Sequence, residues 1–474
     1  MLRASVAAER AGVPSVSLVS PGFERQALAT GRGLGFDGMR LAVLDAHPDG
    51  LSADALVAGF LAHTLPQVVA GLTVEIPVDA ATSSEPGALD VVASGTIDEL
   101  HDLFCERGWS DGSPFVPPTR ERVEAFIAAT GHDPWRSLGV ARPSGREITV
   151  WSVAVNGVMA GCRPEHLPVL LAVAEILAGD RYGVEHSGNT TGADALMVLS
   201  GPVVAELGFH HGPGAHREGH RANTTVGRWL RLFLRNVCGF TGDEHDKATF
   251  GNPAKPVLAE DMDVLAELGW PSLAGAFGFA PGDSAVTLAR INSTVMIGSV
   301  FGSTPEEIVP YLGDGLVRAT GWDLTHVYGL GRAQYRPLLL ISPMIARTFG
   351  RAGWSKRQVQ EALFVAARIP AWKFEALIGE WSNLTAGRRT LVDLAAEGLV
   401  PAVFAESDDP QRLVPIVTEP ADILIAVAGD PNRANALAMA NDGPHGWWTS
   451  RFVDTAPSLD LACRIGDEEC GASG

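Results

Sequence analysis

Residues Ile148–Leu171, ITVWSVAVNGVMAGCRPEHLPVLL, decide how the chain reads. A β-branched run (Ile148, Thr149, Val150, Val153, Val155) leads through small residues to Cys162-Arg163-Pro164-Glu165. An apolar helical pattern follows through Leu167, Leu170, Leu171 and Val173. Proline suits a first helical turn, because its missing N–H would have no partner there, and Glu165 suits the positive end of the helix dipole. The pattern then returns. It starts again at Val286-Thr287-Leu288, and Ser303-Thr304-Pro305-Glu306-Glu307-Ile308 answers Cys162–Leu167 at an offset of 141. Downstream, Leu196–Val204 is answered by Leu338–Ile345; in each, an apolar strand ends at Ser and Pro opens a helix that stops at Gly208 or Gly350. Each unit predicts strand, helix, strand, helix. Two motifs at a nearly constant offset predict a duplicated α/β body with units at about 147–237 and 285–369.

The two units differ where function would be added. Cys162 stands where the second unit has Ser303, and only the first unit carries the loop 209–220 (FHHGPGAHREGH). One decorated and one plain unit predict a single active site per pseudo-symmetric body.

The 474 residues are 46% apolar and 19% charged, an ordinary globular composition with room for two or three domains. A net charge of −19 argues against nucleic acid or an anionic membrane as partner. No apolar run is read as approaching the roughly 20 residues needed to span a bilayer, and the N-terminus lacks a signal-peptide pattern. Cys105, Cys162, Cys238, Cys463 and Cys470 show no CxxC and no zinc spacing, so free thiols in a reducing cytoplasm are expected.

Residues 1–75 predict helix 4–11, strand 15–20, helix 23–31, strand 40–44 and helix 53–70. The phrase Ala8-Glu9-Arg10-Ala11-Gly12-Val13-Pro14-Ser15-Val16, with Phe23-Glu24 and His47-Pro48-Asp49-Gly50-Leu51-Ser52, resembles the N-terminal domain of the UGSC family of (seleno)proteins. Trp109–Thr119 (WSDGSPFVPPT), Asn156–Glu165 and Arg221–Arg228 (RANTTVGR) resemble the longer domain that often accompanies it. The resemblance implies a small Rossmann-like N-terminal domain, here lacking its first strand, and thiol or selenol redox chemistry. The family's naming motif, Cys or Sec-Gly-Ser-Cys, is absent from this sequence. The expected layout is therefore an α/β chain: a UGSC-like domain (1–75), a linker (76–95), the larger duplicated α/β domain (96–460) and an acidic tail (461–474).

Cys162 is the sharpest candidate for chemistry. Just ahead of a helix, backbone N–H groups and the dipole would lower its pKa, and Arg163 adds a positive neighbour. The competing reading is a small buried cysteine in a turn. In the loop, His216 and His220 are four apart and would share a helical face, with His210 and His211 reaching from the other arm. Either a solvated loop, a substrate contact or a metal site would fit, although no carboxylate sits at diagnostic spacing. Arg221, Arg228, Arg231 and Arg235 fall on one face of an otherwise apolar helix. Such charges must be paired internally or serve as a cradle for carboxylate or phosphate, flanked by Asn223 and Asn236. Asp111, Asn156, Ser200, Asp246 and Ser342 lie in loops or at strand ends, where α/β sheets bind ligands. Ser200 lacks a GxSxG elbow, and there is neither GxGxxG nor a P-loop.

Three functional readings stand. The first is an enzyme, an oxidoreductase or lyase, acting on a small anionic metabolite: Cys162, His216 and His220 would be catalytic, and Arg221, Asn223, Arg228, Asp111 and Asn156 would bind substrate. The second is a metal-dependent hydrolase or lyase built on the histidine loop. The third is a non-catalytic subunit of a redox complex. No cofactor or metal is assigned, and a homo-oligomer or a redox partner protein is compatible with each.

Overall fold

The computed structural model describes residues 2–33, 36–48, 51–73, 87–128, 130–142, 144–241, 245–251, 257–327, 334–381, 390–443 and 447–455. Most of the expected linker and the whole acidic tail lie outside them.

The N-terminal segment alternates as its sequence predicts: α1 (Leu2–Arg10), β1 (Ser17–Val19), α2 (Glu24–Gly33), β2 (Leu41–Val43), α3 (Ala53–Gly59) and α4 (Leu65–Thr73). β1 and β2 pair in parallel, and among the described residues no third strand joins them. A π turn at Phe60–Thr64 makes α3 and α4 one continuous helix. This corrects the expectation about apolar runs: Ala53–Thr73 is 21 residues long and, by length and composition, apolar enough to cross a membrane. Its Val57, Leu61, Leu65, Val69 and Leu72 are all exposed.

The larger part opens with α5 (Ile97–Glu106) and α6 (Arg120–Ala128), then the hairpin β3 (Ser137–Val140) and β4 (Glu147–Thr149). There follow α7 (Val150–Ala160), α8 (Leu167–Ala178), β5 (Asp194–Ser200), α9 (Val203–Glu206), α10 (Arg221–Asn236), β6 (Val257–Ala259), α11 (Met262–Leu268) and β7 (Ala285–Ile297). The second half runs α12 (Pro305–Ala319), β8 (Leu338–Ile341), α13 (Pro343–Arg351), α14 (Lys356–Ala366), β9 (Arg368–Pro370), β10 (Leu413–Pro415), β11 (Leu424–Val427), β12 (Ala436–Asn441) and β13 (Thr449–Phe452).

Seven strands form one mixed sheet in the order β11-β8-β12-β7-β5-β6, with β13 pairing β7 beyond the end of β12. β5 sits between a parallel neighbour, β6, and an antiparallel one, β7. β8 has the same surroundings in β11 and β12. The sheet curls until its outermost strands meet: Asp261 N–H, just after β6, donates to the Val427 carbonyl of β11 at 2.7 Å. Side chains alternate across the strands. Leu196, Val198, Leu258, Leu338, Leu340, Leu424 and Ala426 share the core inside the curl. Met197 and Leu199 face the core built with α7, α8 and α10, whereas Leu339 and Ile341 face a separate one with α12, α13 and α14.

The echoed motifs land on like elements in two places and on unlike ones in a third. Pro164 opens a single 3-10 turn leading into α8, Pro305 opens α12, and both Leu196 and Leu338 lie in strands. The β-branched run after Ile148 is no strand beyond Thr149, however. Val150–Ala160 is a helix, set by a capping box between Thr149 and Ser152. It is buried on nearly every side, so its sequence lacks the polar stripe that marks a surface helix.

Candidate functional site

Helix α10 organises the site. Its apolar residues Val226, Trp229, Leu230, Leu232 and Phe233 are buried, and Trp229 Nε1 donates to the Val153 carbonyl of α7 at 3.1 Å. The arginines diverge from one another. Arg228 holds Asp111 bidentately, Nε to Oδ2 at 2.9 Å and Nη2 to Oδ1 at 2.8 Å, and also donates to the carbonyls of Ser113 and Pro114. Arg231 is ion-paired with Asp194. Arg235 donates to the Gly108 carbonyl at 3.1 Å, and Arg221 is exposed and only brushes the Gly161 carbonyl at 3.4 Å. Three of the four thus carry the turn 108–114 and the first residue of β5.

Beside this face lies a cavity of about 290 Å³, lined among others by Arg231, Arg235, Tyr182, Asp194, Asp246 and Arg290. That volume suits a small metabolite. Gly192, at φ 73°, forms part of the rim; a Cβ there would come within 2.6 Å of the Gly251 nitrogen, so the backbones close only because Gly192 has no side chain. Tyr182 is fully buried, and burial raises its phenol pKa, so it stays protonated. Its hydroxyl makes no hydrogen bond of good geometry, although Ser187 and Arg290 lie close. Arg290 is also fully buried, with its guanidinium over the Tyr182 ring at 4.6 Å, donating to the Tyr182 carbonyl and paired with Asp442 at 3.6 Å.

Cys162 does not line this cavity. Gly161, left-handed at φ 80°, stops α7 and sets Cys162 in a buried turn beside Thr225 and Arg221. The expectation of a lowered pKa is corrected: burial pushes the thiol up to about 12, outweighing the pulls of Thr225, Arg221 and Arg228. Nearby His166 packs on Phe209, and burial pushes its imidazole down to about 4.

The histidine loop is made of turns, so His216 and His220 share no helical face. Instead His220 N-caps α10 and stacks on His210 with ring centroids 3.5 Å apart. Asn223 spends its amide on His210, accepting from the backbone N–H at 2.9 Å and donating to the carbonyl at 3.0 Å. Asn156 is likewise occupied, donating to Ser152 and accepting from Asn236. His211 faces Asp261 at 3.5 Å, which holds its pKa above the usual histidine value. Among the described residues no three His, Cys, Asp or Glu side chains group as metal ligands.

The buried pair Glu260 and Lys356 was not singled out from sequence. Ser200 donates to buried Glu260 at 2.6 Å, and buried Lys356, which faces Glu260, donates to the Pro271 carbonyl at 2.8 Å. Tyr182, Asp194 and Arg290 were missed as well. For Arg290 a signal existed, since a charge within the apolar run AVTLARINSTV must find a buried partner. A second cavity, of about 550 Å³, lies where Leu18, Phe23, Ala27 and His47 of the N-terminal segment meet Glu185, His186 and His245.

No curated protein matches the chain. Residues 1–74 match the UGSC family model, so this N-terminal segment is similar to that family.

Proposed function

We propose that the chain is an enzyme acting on a small anionic metabolite held in the cavity beside α10. The observation that carries this reading is Arg235: it lines the cavity and, among the described residues, has only the Gly108 carbonyl as partner. A guanidinium fork matches carboxylate or phosphate bidentately, and a neutral Tyr182 hydroxyl at the same cavity supplies a hydrogen-bond and proton donor. The overall charge of −19 repels anions only weakly at this range, because physiological salt screens charges beyond about 8 Å. Thiol-linked redox or carbon–sulfur chemistry would require Cys162 at the cavity, and its position in the buried turn offers no support for that version. The internal duplication, and a Rossmann-like reading of the N-terminal layer, belong with this proposal. What supports the duplication is the common neighbour pattern of β5 and β8.

Thermal unfolding of the purified protein against a panel of small carboxylates, phosphates and sulfonates tests the reading. A ligand at 100 times its Kd stabilises by about 2.7 kcal/mol, which a melt resolves. At least one class should raise the Tm, and Arg235→Ala should abolish the rise. A panel without any response, or a response unchanged in Arg235→Ala, would overturn it.

A further inference from the structure

The charges around the cavity point to more than an anion. Three arginines (Arg231, Arg235, Arg290) and three aspartates (Asp111, Asp194, Asp246) line it. Outside the wall, Arg228 neutralises Asp111 and Asp442 neutralises Arg290. Arg231 is taken by Asp194. Two charged groups have no ion pair among the described residues: Arg235, bonded only to a carbonyl, and Asp246, whose carboxylate accepts the Ala248 N–H at 3.1 Å and acts on Arg231 only from beyond ion-pair distance. The cavity is therefore balanced overall but polarised locally. Arg235 marks its basic end; Asp246, beside the already neutralised Arg231, marks its acidic end. Arg231 and Arg235 are one turn apart on α10, a rise of about 6 Å, which is the scale of a small molecule's charge separation. Tyr182 lines the same wall, its buried hydroxyl beside Ser187 and Arg290.

We propose that the ligand is zwitterionic, an amino-acid-like molecule whose carboxylate sits on Arg235 and whose ammonium sits on Asp246. This rests on the cavity being the ligand site. A simple anion would satisfy Arg235 and leave Asp246 facing it; a net-neutral ligand with separated charges satisfies both.

The test is calorimetric titration with the twenty α-amino acids, β-alanine and 4-aminobutanoate, each beside its N-acetyl form (anion only) and methyl ester (cation only). At least one parent compound should bind ten-fold or more tighter than either derivative. Asp246→Asn should reduce its affinity to that of the N-acetyl form, Arg235→Ala to that of the ester, and Asp246→Glu should restore the parent's advantage. An N-acetyl form binding as tightly as its parent, or Asp246→Asn binding the parent unchanged, overturns the zwitterion while leaving the anion site standing. Failure of every zwitterion overturns it too. Only a simultaneous absence of response to simple carboxylates, phosphates and sulfonates removes the anion site as well.

Discussion

Arg228 and Asp111, both legible from sequence as ligand-binding residues, bind each other. The guanidinium spans both carboxylate oxygens and caps two further carbonyls of the turn 111–114. Both side chains are mostly buried, and Arg228 helps hold the carboxyl of Asp111 below the usual aspartate range even though burial works against it. Arg228→Lys keeps the charge and loses the fork, so we expect a stability loss of about 2 kcal/mol in urea denaturation. An unchanged midpoint would mean that the turn is held by other contacts.

Cys162 should behave as a buried thiol. With its pKa pushed up to about 12, only about one molecule in ten thousand carries the thiolate at pH 8. Iodoacetamide followed by peptide mass analysis should label exposed Cys105 in the folded protein and spare Cys162 and Cys238 until denaturant is added. The stabilising preference for the thiol is intact below pH 9 and is lost as pH rises from there toward 12. Labelling of Cys162 at the rate of Cys105 at neutral pH would refute the placement.

Asp323 carries a pH dependence of the opposite kind from most aspartates. Burial, with Asp442 nearby, raises its carboxyl to about 7, while Asn292 donates to it at 2.7 Å and pulls the other way. The folded state thus holds a proton that the unfolded chain releases near pH 4. Its contribution to stability is complete below that pH and lost as pH rises through 7. Relative to Asp323→Asn, the wild type should lose a few kcal/mol of stability between pH 4 and pH 8, since each pKa unit is worth about 1.4 kcal/mol. Parallel stability curves for the two proteins would rule this out.

Lys356 and Glu260 should show strong coupling. Both are buried near the end of β6, one oxygen of Glu260 accepting from Ser200 and the Leu273 N–H. Lys356→Met leaves the acid without its cation and should cost about 3–5 kcal/mol. The double variant Lys356→Met/Glu260→Gln should recover much of that. Additive losses would show that the two groups act independently.

Much of the architecture was legible because it rests on local pattern. The alternating elements of residues 1–73 and the helix starts at Pro164 and Pro305 follow from apolar spacing, glycine stops and proline at the first turn. Ile148–Val155 misled because burial strips a helix of its polar stripe, and β-branched propensity is weak enough for packing to override. Gly157 shows that packing: a Cβ there would lie 3.0 Å from Phe126 and 3.1 Å from Leu170. The arginine face of α10 was also legible, but which arginine is spoken for was not. Asp111, Asp194 and Gly108 come from distant segments, and only the fold decides that Arg228 and Arg231 find carboxylates while Arg235 does not. The pKa of Cys162 was misjudged for a similar reason: its position before a helix start is visible in sequence, the burial that outweighs it is not.

The most direct test of where the site lies is a calorimetric comparison of three proteins, wild type, Arg235→Ala and Cys162→Ser, against whichever small carboxylate or phosphate stabilises the wild type most. Loss of one bidentate charged contact should weaken binding by Arg235→Ala at least ten-fold, while Cys162→Ser binds as the wild type does. The reverse, undiminished binding by Arg235→Ala and loss by Cys162→Ser, would contradict a site on the arginine face of α10.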